Sequence, residues 1–209
     1  DVIGSEISPL QKKIGELLKV LDDVKLRDNT TIIITGDHGF VDTDRAFSPN
    51  ILLSKMGLIT EEASQAEFLS TGGSAFLYVK DKKLIPSITK MLNQLPDSLK
   101  VFRIINRKQL DAIGADPSAA LALAFNNGVV GRSATKGQIL VNKKEGGSHG
   151  HYPDFHEIKT GFIISGGEVS QHKKVEGLGI QDIAPLIADI LQLPFIAKDG
   201  KLVPNILAK

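Results

Sequence analysis

The chain has 209 residues, 42% of them hydrophobic, with 25 basic against 24 acidic side chains for a formal net charge of +1. So even a balance excludes a long-range field directed at nucleic acid or an anionic membrane, and the length suits one domain or one domain carrying an insertion. The absence of cysteine excludes disulfides and thiolate ligands, leaving His, Asp and Glu to hold any metal; no apolar run reaches the length of a membrane span.

In chain order, Leu10, Ile14, Leu17, Leu18 and Leu21 recur at helical spacing over residues 9–21, with Ser8 as the expected cap and Pro9 in the first turn. Residues 31–35, β-branched and apolar throughout, read as a strand covered on both faces. That strand runs into Gly36, Asp37, His38 and Gly39. Ligands of open α/β sheets sit beyond the carboxyl ends of strands, so a carboxylate and an imidazole here raise a site question at once. "FSPNILLSKMGLI" predicts a short helix opened near Ser48 and Pro49 and closed by Gly57. "GGSAFLYVK" predicts a strand, and "IPSITKMLNQL" a helix from Ile85.

Beyond Val101 the pattern shortens. "VFRII" reads as a strand, "NRKQLDAIG" as a helix capped by Asn106 and stopped by Gly114, and "ALALAF" as a strand. Residues 126–158, rich in Gly, Lys, Asn and His, read as a long functional loop. "TGFIISG" is again strand-like and buried in character. Ile183, Leu186, Ile187, Ile190 and Leu191 share a helical face that stops before Pro194.

Two clusters carry metal-binding chemistry. Neighbours on a strand point to opposite faces, so Asp37 and His38 share an ion only where the backbone leaves extended geometry, which Gly36 and Gly39 permit. A carboxylate oxygen and an imidazole nitrogen, each about 2.0–2.2 Å from the ion, are ordinary zinc ligands. The triplet alone serves equally well as a loop in which His38 donates to a carbonyl. "GGSHGHYPDFHE" holds His149, His151 and His156, three of the chain's five histidines, beside Gly146, Gly147 and Gly150. By spacing alone this is as consistent with a solvated loop as with a metal site. Gly72 and Gly73 read as a strand-opening turn in preference to a phosphate cradle. Asp42 and Asp44 read as a solvated loop, and Lys143, Lys144 and Glu145 as a solvated rim. Asp182 and Glu157 read as groups orienting backbone.

In order, "IIITGDHGF", "NILLSKMGLI", "TGGSAFLYVKD", "INRKQLDAIGADP", "GGSHGHYPDFHEIKTGFIISG" and "IQDIAPLIADILQLP" resemble the type I phosphodiesterase/nucleotide pyrophosphatase family of the alkaline phosphatase superfamily, across nearly the whole chain. The resemblance implies an α/β/α sandwich with a largely parallel central sheet, alkaline phosphatase-like. Residues 1–209 would form the carboxyl-terminal portion of one catalytic domain, with an inserted subdomain or long loop over about 101–145. It implies metal-dependent hydrolysis of phosphodiesters or nucleotide pyrophosphates with two divalent ions, usually zinc. A small-molecule phosphate ester is then the partner, not a nucleic-acid duplex, and the location is extracytoplasmic, periplasmic or secreted.

The family's Asp-His pair falls on Asp37 and His38, which would bind the ion that activates the nucleophile. Its later histidine falls on His149, a ligand of the partner ion. His151 stands where the family usually has tyrosine, so it reads as a supporting or substrate-facing group; His156 and His172 read as structural or solvated. The family's nucleophilic threonine or serine lies well upstream of the Asp-His-Gly strand. Asp1, Gly4 and Pro9 invite alignment with a further family segment, but Ser5 would occupy its histidine. The expectation is therefore the carboxyl-terminal part of a longer enzyme, with little activity in this stretch alone. A phosphomonoesterase or phosphonate hydrolase of the same superfamily, and a non-catalytic binding module, stay open as alternatives.

Overall fold

A computed structural model describes residues 2–170 and 173–208, so Asp1 and His172 lie outside the described residues. In chain order the elements are α1 (Val2–Asp23), β1 (Ile32–Thr35), β2 (Val41–Phe47), α2 (Pro49–Lys55), β3 (Ala66–Ser70), β4 (Ser74–Val79), α3 (Ile85–Asn93), β5 (Phe102–Ile105), α4 (Arg107–Ala112), β6 (Leu121–Phe125), β7 (Gly128–Gly131), β8 (Leu140–Ser148), β9 (Phe162–Ser165) and α5 (Ile183–Ile190). They fall into two compact units. One is His38–Thr160; the other joins the residues up to Asp37 with those from Gly161 onward.

In the His38–Thr160 unit, β6 is the buried centre of a four-stranded sheet ordered β3-β4-β6-β5. Its Leu-Ala-Leu-Ala-Phe alternation divides the two faces. Leu121, Leu123 and Phe125 join a cluster with Leu52 and Leu53 of α2, Phe68, Leu77, and Ile88 and Leu92 of α3. Ala122 and Ala124 face the other way, toward Ile105, Ala119 and Leu110 of α4, where small side chains let the short helix approach. Each fully buried leucine stabilises the unit by about 1.5–3 kcal/mol relative to exposure. Helix α4 begins as expected: Asn106 accepts from the Gln109 amide, and the Gln109 side chain accepts from the Asn106 amide.

A second sheet in this unit, ordered β7-β2-β8, pairs β2 parallel to β7 and antiparallel to β8. Two elements here correct the sequence reading. Residues 126–158 are not a loop throughout, because β7 and the whole of β8 lie within them; the Asp42–Asp44 stretch is part of strand β2. In β2, Val41 and Thr43 are buried while Asp42 and Asp44 are exposed, the alternation of a strand with one wet face. Both ladders bulge between Thr43 and Arg45. Lys143 is tied in there, its Nζ donating to the Thr43 carbonyl at 2.8 Å and the Thr43 hydroxyl at 3.1 Å, so it is a structural clamp where a solvated rim was expected.

Among the described strands only the β7-β2-β8 sheet is mixed, through the parallel pairing β2–β7, and the other two sheets are antiparallel. Residues 71–73 alone join β3 to β4, too few for a parallel crossover, so that pair must be antiparallel.

In the other unit, β1 pairs antiparallel with β9 alone, Ile33 opposite Ile164. A two-stranded ribbon has two open edges, and β1 and β9 are half-buried or exposed, not covered on both faces as their composition suggested. Helix α1 starts at Val2, so Pro9 stands inside it and Ser8 is not its cap. An interior proline costs a helix about 3 kcal/mol, through the missing hydrogen bond and the clash of its ring with the preceding turn. The expected face of α5 is realised in Leu186, fully buried, while Ile187 and Leu191 remain exposed. Asp182, buried ahead of α5, accepts from the Gly179 and Lys201 amides at 2.9 Å each, the backbone-orienting role read from the sequence.

Candidate metal centre

His38 lies just before β2 and His149 just after β8. These strands pair antiparallel with Val41 opposite Ser148, so the start of one runs beside the end of the other. The two imidazoles consequently stack, ring centroids 4.4 Å apart and planes 11° from parallel. Phe40, exposed, stands nearly perpendicular to both rings, its centroid 5.3 Å from that of His38 and 6.0 Å from that of His149.

Two close backbone approaches hold this arrangement. The Gly39 amide donates to the Ile158 carbonyl at 2.7 Å, and a Cβ on Gly39 would overlap the Glu157 carbonyl, so only glycine fits there. The Gly73 amide donates to the His149 carbonyl, also at 2.7 Å.

His38 Nδ1 lies 3.1 Å from the Gly39 carbonyl oxygen. A carbonyl only accepts, so this contact places the ring proton on Nδ1 and the lone pair on Nε2, the arrangement that orients metal-binding imidazoles. The donor set thus suits a divalent cation. Among the described residues no group of three or more His, Asp or Glu converges on one point.

Asp37 belongs to the other unit, where it is exposed beyond the end of β1. The structure therefore brings His38 and His149 together within one unit. His156 is exposed, as a solvated residue should be.

His151 is buried, 5% exposed, with neither ring nitrogen in a hydrogen bond. Burial pushes its pKa below the ordinary imidazole value; the Val129 backbone and Glu157 act in the opposite direction, and His149 lowers it further. The Val129 backbone does so from outside hydrogen-bond geometry. The His151 ring packs against Phe155, centroids 4.9 Å apart, and against Gly73, so it is an internal group.

The loop after His149 is held again by Tyr152, packed on the Ala122 and Ala124 face, under the Arg103 guanidinium at 5.2 Å. Arg103 also makes a two-pronged ion pair with Asp154, at 2.8 and 2.9 Å. That bond holds the Asp154 carboxyl below its ordinary range and raises Arg103. The sequence reading missed Phe40, Arg103 and the double use of Gly72 and Gly73; the adjacent glycines were the available signal.

Solved structures share this fold. Human ectonucleotide pyrophosphatase/phosphodiesterase 5 superposes with a TM-score of 0.78 at 16% identity, covering 100% of this chain and 54% of that one. The murine counterpart gives 0.76 at 19% identity, covering 99% and 53%. An inactive variant of the murine protein in complex with AMP gives 0.71 at 18%, covering 96% and 51%. The fold is thus α/β and alkaline phosphatase-like, and the chain spans about half the length of these solved relatives. The model of the type I phosphodiesterase / nucleotide pyrophosphatase family matches residues 3–145, and the chain belongs to that family. No curated protein sequence matches it significantly.

Proposed function

We propose that the protein carrying this chain is a metal-dependent hydrolase of phosphodiesters or nucleotide pyrophosphates. The observation that supports the reading is the stacked pair His38 and His149, which the β2–β8 ladder brings together and which the family resemblance expects as metal ligands. Asp37 and His38 would hold the ion beside the nucleophile, and His149 the partner ion. Bound divalent ions, zinc on this reading, offset the negative charge that develops in phosphoryl transfer.

The chain's own contribution is placement. The Gly39 carbonyl fixes the His38 tautomer, the Gly73 amide fixes the His149 backbone, and Phe40 packs beside both rings. A small phosphate ester, with a nucleotide as the leading class, is the proposed substrate; the AMP complex of the murine relative and the family match support that choice. An extracytoplasmic location goes with the same family. No helix among the described residues is long and apolar enough to cross a membrane.

The test is His38→Ala and His149→Ala in the purified protein, reading zinc content and hydrolysis of a chromogenic phosphodiester. Each variant is expected to lose bound zinc and, with it, most of the hydrolysis. Unchanged zinc and unchanged turnover in both would refute the assignment.

A further inference from the structure

The turn between β3 and β4, Thr71–Gly72–Gly73, does more than reverse the chain. All three of its backbone N–H groups are engaged: Thr71 donates to the Ser74 carbonyl at 2.9 Å, Gly72 to the Ser70 hydroxyl at 3.3 Å, and Gly73 to the His149 carbonyl at 2.7 Å. Both glycine carbonyls accept as well, Gly72 from the Gly131 amide at 2.7 Å and Gly73 from the Phe125 amide at 3.0 Å. With every donor committed, the turn has none to offer a phosphate.

Its surface is shaped to one occupant, the His149–Gly150–His151 backbone. A Cβ on Gly72, which already sits at φ +94°, would overlap the His149 carbonyl oxygen. A Cβ on Gly150, at φ +75°, would overlap the Thr71 carbonyl, so the two segments close on each other from both sides. Gly73 has no positive φ, and the nearest obstacles to a Cβ there are three atoms of the His151 ring. The turn is anchored by β6 and β7 through Phe125 and Gly131, so it forms the fixed side of this contact.

We propose that Thr71–Gly73 is the positioning element of His149: a socket that seats the backbone of residues 149–151 and so sets the His149 imidazole parallel to that of His38. Gly72 and Gly73 are positioning residues that act through His149, and the buried His151 ring fills the space beside Gly73 that a side chain there would need. For its consequence in metal binding this rests on the two-ion reading above, whereas the ring geometry is a property of the metal-free protein.

The steric argument gives a rescue test. Gly73→Ala adds a methyl whose neighbours are His151 ring atoms, so removing that ring in Gly73→Ala/His151→Ala should undo the damage. In metal-free purified protein, the readout is the nuclear Overhauser effect between the His38 and His149 ring protons, together with their ring-current shifts. The folded Gly73→Ala variant is expected to lose the inter-ring effect and to bind zinc at least about tenfold more weakly, the scale of losing a partner that orients a ligand. The double variant should recover both. A merely structural role for Gly73 would lower the melting temperature and leave the inter-ring signal in place.

Retention of that signal in folded Gly73→Ala, or no recovery in the double variant, overturns the proposal. If Gly73→Ala does not fold, the double variant decides alone: folded with the inter-ring signal supports the socket, and unfolded or folded without it sinks the idea. A wild-type protein with the inter-ring signal but no zinc binding would remove the metal reading while leaving the socket standing.

Discussion

Asn50 offers a sharp test of how β3, and the turn that follows it, are held. The residue is 1% exposed at the start of α2, and its side chain forms a closed pair with one residue of β3. Its Nδ2 donates to the Phe68 carbonyl at 2.9 Å, and its Oδ1 accepts from the Phe68 amide at 2.7 Å. Because β3 is an edge of its sheet, this carboxamide takes the place of a missing neighbouring strand. Asn50→Ala removes two neutral hydrogen bonds worth about 1 kcal/mol each and leaves two buried backbone groups short of a partner. The expected loss is about 2–4 kcal/mol. Asn50→Asp should be at least as harmful, since it sets a carboxylate oxygen against the Phe68 carbonyl in a buried place.

Urea unfolding followed by tyrosine fluorescence reads this unit directly. The chain has no tryptophan, and its two tyrosines, Tyr78 and Tyr152, both lie within His38–Thr160. With a slope of about 2 kcal/mol per molar, the middle of the usual range, the midpoint should fall by roughly 1–2 M at unchanged slope. A loss below about 0.5 kcal/mol for Asn50→Ala would show that water replaces the pair at no cost, and the edge-capping argument would fail.

Leu123→Ala, at the centre of β6, should destabilise the same unit by about 2–5 kcal/mol in the same unfolding assay, because packed neighbours on both sides limit collapse into the cavity. A double-mutant cycle on Arg103 and Asp154, each about half exposed, should give a coupling of only about 0.5–1 kcal/mol that shrinks in high salt; a coupling insensitive to salt would contradict the exposed geometry. Asp182 supplies a pH prediction. The Lys201 and Gly179 amides depress its folded pKa, so its stabilising contribution is fully present above the ordinary carboxylate range and is lost progressively as pH falls from that range through the lower folded pKa. Amide exchange at Gly179 and Lys201 should differ between wild type and Asp182→Asn at about pH 6, and the difference should narrow by about pH 3.

The parts of the fold that were legible in the sequence are those where local chemistry and burial agree. The Asn106 cap with Gly114 at φ +68° delimits α4, and the apolar run of β6 announces its own burial. Strands β2 and β8 were not legible because each carries charge. Asp42 and Asp44 are the wet half of an alternating strand, and β8, an edge, tolerates Lys143, Lys144 and Glu145 along with two glycines. The meeting of His38 and His149 is a direct product of that unread pairing, so family resemblance, and not periodicity, pointed to it. Burial of β1 was overestimated because a β-branched run reports strand propensity and says nothing about how many neighbours the strand acquires.

Because the two histidines hang from adjoining ends of a single ladder, their spacing depends on the register of β2 against β8 and not on the length of chain between them. Loops between those strands that stand away from the Thr71–Gly73 turn and its anchors in β6 and β7 are therefore at liberty to grow or shrink during divergence while the imidazoles stay face to face. A slip of one rung, by contrast, would turn every β8 side chain to the opposite face and part the rings without altering either residue.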